Sequence, residues 1–435
     1  MSDATRHRGR DAWLGALALG VYVAGALLHS HFVNIDPARH DQDAYLRFSR
    51  WLRLSGFTEP TNRSQMPAFL YFQALVVDPA ADLAAQFARA KLASIALSVV
   101  LMGALSAFFA RALPRREAWA AILATAFTVF VFRAAYVQAE LLFYTLSFFG
   151  FAALVRLWVR PSFGVAALAG LLEAGAFLAK GSVQPGIALF TALFAGRALV
   201  RRDSPGRRLA QAALFLFAFV APLAPYLKTS HDHYGSWFFN VNTRYVLWTD
   251  SWDDFRALEG RLGGWWTWWP RLPEGDLPSM AHYLASHSVL AILEREVLGV
   301  GEVLGNLVLG TGYFEFLVLL LGFTALARGF FRAPLNALRS IDAASPAAFV
   351  LPYALLYTAL FGFYAPIAAG PRFILMLFLP LLYTVLRWGS ETEPTASLAG
   401  RTWAWRDFVT FLLILLVLHV GFVLPATIGR IYAGG

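Results

Sequence analysis

Three aspartates crowd one short polar stretch, NIDPARHDQDAYLRFSRWLRLSGF: Asp36, Asp41 and Asp43 lie within eight positions. A carboxylate at a membrane face can serve as a general base or hold a hard divalent cation. From Asp41 onward, Tyr45, Phe48, Leu52 and Phe57 recur at helical spacing. This predicts a helix along the membrane surface with the acids near its N-terminus, where the helix dipole favours them. N-capping is therefore the alternative role for Asp41. Glu140, in YVQAELLFYTL, is a fourth acid, and two acids from separate segments facing one cavity would form an acid/base or metal constellation. Glu173 and Lys180 are seven apart, hence on one helix face, as an ion pair or as a buried acid beside a headgroup-binding cation. Arg63, Lys180 and Arg372 supply three cations near membrane level. Arginine binds phosphate oxygens bidentately; snorkelling towards the interface is the alternative for each cation. Weaker signals are His231-Asp232-His233, the glycosylation pattern at Asn62-Arg63-Ser64, and Gly301 with Gly305 as a helix-packing pair. The chain has no G-x-S-x-G, phosphate-binding P-loop or H-E-x-x-H motif.

The elements that must position these residues are membrane helices. Of 435 residues, 58% are hydrophobic and only 14% charged, and the mean hydropathy is +0.56. Globular chains are nearer 45–50% apolar and about 25% charged, so a soluble enzyme, a disordered chain and a nucleic-acid-binding module are excluded. About eleven apolar runs of roughly 20 residues can each cross a hydrocarbon core of about 30 Å. They fall at 13–32, 92–110, 118–132, 140–157, 163–179, 185–199, 209–227, 303–326, 347–363, 373–386 and 408–427. The expected fold is an all-α integral-membrane bundle, a single domain over 1–435, with surface helices in its first long loop.

Orientation follows from arginine. With Arg6, Arg8 and Arg10 cytoplasmic, alternation puts every clustered-arginine loop on the same side, as the positive-inside rule requires. The net charge of +9 then belongs to loops and lipid headgroups, not to nucleic acid. Residues 34–90 and 228–301 become the two long extracytoplasmic loops. The second holds Trp265, Trp266, Trp268 and Trp269, which predict an interfacial anchor. With no cysteine there is no disulfide or thiolate site. The apolar run after the basic N-terminus is too long for a signal peptide and is expected to remain as the first span. The expected location is the plasma membrane, crossed many times.

The stretch DQDAYLRFSRWL followed by NRSQMPAFLYFQAL resembles the first outer loop of the GT-C superfamily of integral-membrane glycosyltransferases. The pattern is closest to the protein O-mannosyltransferase and aminoarabinose transferase group. Asp41, Tyr45 and the run Arg63 through Pro67 carry the likeness. It continues through VQAELLFYTLSFFGFAALVRLW and GLLEAGAFLAKGSVQPGIALF, and returns at Arg372, Phe373 and Pro380. Many relatives read Asp-Glu where this chain has Asp41-Gln42, which leaves the base to Asp41 or Asp43. The loop 228–301 has no counterpart in the pattern.

The resemblance implies an inverting transfer of a sugar from a polyprenyl-phosphate donor to a lipid, glycan or protein acceptor at the outer membrane face. Asp41, Asp43 and Glu140 would be the catalytic acids. Arg63, Lys180 and Arg372 would hold the donor phosphate, and Tyr45 and Asp36 would contact other parts of the substrates. No cofactor is required. If a cation takes part, Mg²⁺ or Mn²⁺ on Asp41, Asp43 and Glu140 is the chemical match. The rival expectations are a lipid-linked polysaccharide polymerase or ligase, whose arginine and histidine sit in a late outer loop, and a transporter or flippase. The lack of an internal repeat and the clustering of polar groups on one face weigh against the latter.

Overall fold

In hydrocarbon, each backbone N–H and C=O must find its partner inside the segment, so long apolar runs fold as helices. The computed structural model of the chain describes residues 3–57, 63–201, 204–261, 277–309, 314–331, 333–334, 336, 341–368, 371–398 and 400–433. It is 81% helical. Seven helical segments are long and apolar enough to span a membrane: Ala12–Phe32, Leu83–Ala112, Glu140–Val159, Gly181–Val200, Pro205–Tyr234, Ala347–Tyr364 and Trp405–Gly429. The protein is an all-α polytopic membrane protein. The tryptophans 265–269 and Asn62 lie outside the described residues.

The chain starts with α1 (Asp3–Phe32), then α2 (Gln42–Leu54), α3 (Pro67–Val76), α4 (Leu83–Ala112) and α5 (Arg115–Ala124). A π-helical turn, Thr125–Phe130, extends α5. There follow α6 (Glu140–Val159), α7 (Phe163–Ala179), α8 (Gln184–Arg201), α9 (Pro205–Val220) and α10 (Ala224–Tyr234). The helix starts carry recognisable signals. The side chains of Asp82 and Ser162 accept from the backbone N–H of Ala85 and Val165, and Pro67 and Pro205 open α3 and α9. Gly235, at φ +65°, ends α10 in the left-handed conformation that glycine adopts without strain.

Short helices α11 (Trp252–Arg261) and α12 (Met280–Ser286) precede α13 (Val289–Leu309), α14 (Glu315–Ala327), α15 (Ala347–Tyr364), α16 (Pro371–Ile374) and α17 (Phe378–Thr392). A hairpin of β1 (Thr395–Leu398) and β2 (Arg401–Ala404) leads into α18 (Trp405–Leu418), with Thr395 opposite Ala404.

Close approach in this bundle rests on small residues. Gly170 of α7 lies against the backbone of Phe215 and Phe219 in α9, and Gly299 of α13 against the Gly362 carbonyl of α15. The contact glycine of α13 is thus Gly299; Gly301 and Gly305 have open space beside them. Aromatic layers fill the rest, with Phe148 edge-on to Phe108 and Tyr383, and Phe190 edge-on to Phe349.

The expected span 303–326 is divided between α13 and α14. The helix α2 ends at Leu54, so Phe57 falls outside it at φ +65°. The buried face of α2 is Ala44, Leu46, Phe48 and Leu52, with Tyr45 half-buried. One end of the bundle gathers α2, α3, α10 to α12 and the ends of α1, α7 and α15. The other carries the arginine-rich turns, where the Trp405 indole N–H donates to Glu117 at 3.1 Å and the Trp158 indole N–H to the Ser345 carbonyl at 3.0 Å.

Candidate functional site

Asp41 stands at the joint before α2. It is exposed, at φ 64°, and makes no side-chain cap bond to the helix. A left-handed non-glycine residue is uncommon, and such strain concentrates at functional sites. What holds the joint is its neighbour. Gln42 is fully buried. Its Oε1 accepts from Asn34 Nδ2 at 2.9 Å and from the Val137 N–H at 3.0 Å. Its Nε2 donates to Asn34 Oδ1 at 2.8 Å and to the Arg39 carbonyl at 3.1 Å. Asn34 Nδ2 also reaches the Ala135 carbonyl at 2.9 Å. The glutamine that departs from the Asp-Glu pattern therefore ties the Asp41 turn to the segment that leads into Glu140. Gln42→Glu would set a carboxylate where a donor is needed. It is expected to cost about 1–3 kcal/mol of stability, measured as a lower unfolding midpoint in detergent.

Glu140 opens α6 and is buried. Its Oε1 lies 3.7 Å from Lys180 Nζ, with side-chain exposures of 7% and 26%. Lys180 caps α7 in an extended conformation (φ −160°, ψ 129°), which turns its side chain away from the helix axis row. The amine lies 5.1 Å from the centre of the Phe373 ring and 5.8 Å from that of Phe143. The following turn is pinned by Tyr357, whose hydroxyl donates to the Ser182 carbonyl at 2.9 Å and accepts from the Gly186 N–H at 3.2 Å. Glu173 does not pair with Lys180. It packs against Gly150 of α6, where a Cβ would stand 2.5 Å from its Oε1. The missing side chain at Gly150 is what makes room for it.

Arg63 is buried at φ 62°. Its guanidinium stacks 3.9 Å from the centre of the Tyr226 ring. Burial pulls the Arg63 guanidinium below its usual pKa, opposed by the neighbouring Tyr226, Tyr234 and Tyr71. Asn240 Nδ2 donates to the Arg63 carbonyl at 2.7 Å and Asn242 Nδ2 to that of Ser64 at 3.1 Å. Tyr226 also meets Phe177 edge-on at 5.4 Å, three positions before Lys180. Of the two cations, Lys180 is the more accessible.

The other expected residues are placed apart. Asp43 faces Arg47 at 3.7 Å on α2. Asp36 accepts from the Ala38 N–H at 2.9 Å and lies 3.8 Å from Arg39, both within its own turn. Tyr45 packs edge-on to Phe69 of α3 at 5.5 Å. Arg372 lies in α16 beside Phe373, and its side chain is outside the described residues. Among the described residues no three His, Asp or Glu side chains converge as a metal site, so Asp41, Asp43 and Glu140 are not brought together as ligands. His231 stacks on Trp237 at 4.2 Å, and Asp232 pairs with Lys228.

A second polar cluster escaped the sequence reading. Asp250 Oδ1 lies 3.0 Å from His287 Nε2 and 3.7 Å from Arg295 Nη1. His287 stacks on Tyr283 at 4.1 Å, with its Nδ1 2.9 Å from the Tyr283 carbonyl. Arg295 donates to the carbonyls of Phe363 and Thr249, each at 2.9 Å, and to the Tyr283 hydroxyl at 3.1 Å. A cavity of about 540 Å³ opens beside them, lined by Asp250, Asp254, Arg261, His282 and Trp248. The available signal was the charged triplet Glu294-Arg295-Glu296, set between apolar residues on both sides. Comparison with protein-family models, curated proteins and solved structures finds no match for this chain.

Proposed function

We propose that this chain is an inverting GT-C-type glycosyltransferase of the plasma membrane that moves a sugar from a polyprenyl-phosphate donor to a lipid, glycan or protein acceptor. The observation that carries the reading is the Glu140–Lys180 pair under Phe373, one residue from Arg372, at the end of the bundle that also carries Asp41 and Arg63. The donor's lipid tail lies in the bilayer and its phosphate meets Lys180, with Arg372 and Arg63 as the further cations. The acceptor hydroxyl attacks the anomeric carbon, and the bond from that carbon to the phosphate oxygen breaks. The electron pair leaves on polyprenyl phosphate, whose growing charge the cations balance. Asp41 takes the hydroxyl proton. Glu140 positions Lys180. A Mg²⁺ or Mn²⁺ ion is not needed for this balance of charge. The test is release of polyprenyl phosphate when purified protein meets a panel of polyprenyl-phosphate sugars; no release with any of them would overturn the reading.

The same reading counts eleven spans. To the seven long helices it adds 115–133, 163–179, the consecutive helices in 289–327, and 371–392. An odd count with a cytoplasmic N-terminus puts the C-terminus outside, together with the 34–90 and 228–301 loops. A reporter enzyme fused after Gly435 is expected to be active in the extracytoplasmic compartment, and cytoplasmic activity would mean an even count.

A second reading rests on the late cluster. His287 and Arg295, held on Asp250 beside a polar cavity, supply the late-loop histidine and arginine expected of a lipid-linked polysaccharide ligase or polymerase. Loss of turnover in Asp250→Asn with Asp41→Asn unaffected would favour it.

A further inference from the structure

At the arginine-rich end, a groove of about 1200 Å³ opens between α1, α5 and α18. Its lining is divided by chemistry along its length. Leu14, Leu17, Phe127 and Val417 line the apolar part, and every charged lining residue belongs to one end: Arg115, Arg116, Glu117, Glu393 and Arg406. From Pro114 to Phe127 a helix rises about 20 Å, and from Arg406 to Gly421 about 22 Å. The groove therefore runs well into a hydrocarbon core of about 30 Å. Leu17 and Val417 are 50% and 61% exposed, while Phe127 closes the floor at 1%. The π-helical turns Thr125–Phe130 and His419–Val423 face each other at its deep end.

Three arginines meet two glutamates at the mouth. Glu117 is buried and accepts from the Trp405 indole N–H, and Glu393 pairs with Arg406 Nε at 3.2 Å. Arg116 donates to the Arg406 backbone carbonyl at 3.3 Å, which ties the start of α5 to the start of α18 at the mouth. A site that is cationic at membrane level and apolar for about 20 Å beyond it has the layout of one anionic lipid, phosphate at the mouth and chains along the groove.

We infer that this groove holds an anionic glycerophospholipid of the adjacent leaflet, its phosphate on Arg115, Arg116 and Arg406. The inference requires only that the chain spans a membrane, and it stands or falls apart from the transferase reading. The test is native mass spectrometry of the full chain released from nanodiscs containing equal phosphatidylglycerol and phosphatidylcholine. The wild-type protein is expected to retain one phosphatidylglycerol in preference. Arg116→Gln/Arg406→Gln should reduce that preference about tenfold or more, given the ~1 kcal/mol per basic residue near an anionic surface. Ala18→Trp, which sets a bulky ring in the apolar part of the groove, should weaken retention of the lipid. Equal retention of the two lipids by wild type, or a phosphatidylglycerol preference unchanged in Arg116→Gln/Arg406→Gln, would overturn the inference. The wild-type comparison decides by itself if either variant fails to fold.

Discussion

Asp41→Asn is expected to cut turnover of a polyprenyl-phosphate sugar by about 10²- to 10⁴-fold, the usual cost of losing a general base. The substitution keeps the size of the side chain and removes its basicity. The cations proposed for the phosphate lie on other segments, so donor binding should be unchanged. The turn should also survive, because Gln42 anchors it to Asn34 and Val137, and asparagine tolerates the left-handed conformation at φ 64°. Asp43→Asn is the paired control. Its carboxylate is turned to Arg47 across an exposed i,i+4 pair, worth about 0.3–0.5 kcal/mol. Initial rates and donor KM measured for both variants separate the roles. Wild-type rates in both would remove the first-loop acids from the mechanism; loss in Asp43→Asn alone would move the base by two positions.

The second large effect concerns the buried pair. Lys180→Met leaves the Glu140 carboxylate at 7% exposure without its cation. Removing one partner of a fully buried pair costs about 3–5 kcal/mol, and the partial access of Lys180 places this case towards the lower end. Glu140→Gln/Lys180→Met should recover much of that stability, since the carboxylate left without Lys180 is then neutralised as well. Activity should not recover, because the proposed phosphate contact is still missing; a charge-assisted contact to phosphate contributes about 1.5–3 kcal/mol, or roughly 10- to 150-fold in donor affinity. Unfolding midpoints and donor KM together read the cycle. Donor affinity restored along with stability in the double variant would make the pair purely structural.

The long spans were legible because a 20-residue apolar run admits few other structures in a membrane. The crossing near 303–326 was not, because Glu294, Arg295 and Glu296 interrupt the run that becomes α13, and Arg295 is satisfied by the carbonyls of Phe363 and Thr249. Seven-residue spacing puts Glu173 and Lys180 on one helix face, with an ion pair as one of two readings, but Lys180 falls just past the last helical residue and meets Glu140 instead. Helix periodicity says which residues share a face; the neighbouring helix decides what they meet. Gly150 offers Glu173 a space, and the extended backbone at Lys180 sends the amine to Glu140. Gln42 read as a departure from a motif. Its function in the fold depends on the Val137 N–H, 95 positions away, which no local pattern encodes. The Asp250–His287–Arg295 cluster was hidden for the same reason, since its members come from different turns and helices. Arg63 was legible as a cation but not as a stacked one, because Tyr226 lies in a distant helix.

The central claim is displacement at an anomeric carbon with polyprenyl monophosphate as leaving group. The most direct measurement is the combined proton and phosphorus NMR spectrum of a completed reaction between purified protein, a polyprenyl-phosphate sugar that it turns over, and its acceptor. The prediction is one equivalent of polyprenyl monophosphate and a transferred sugar whose anomeric coupling is opposite to that of the donor. Retained configuration, or an intact donor after incubation with every sugar and acceptor offered, would contradict it.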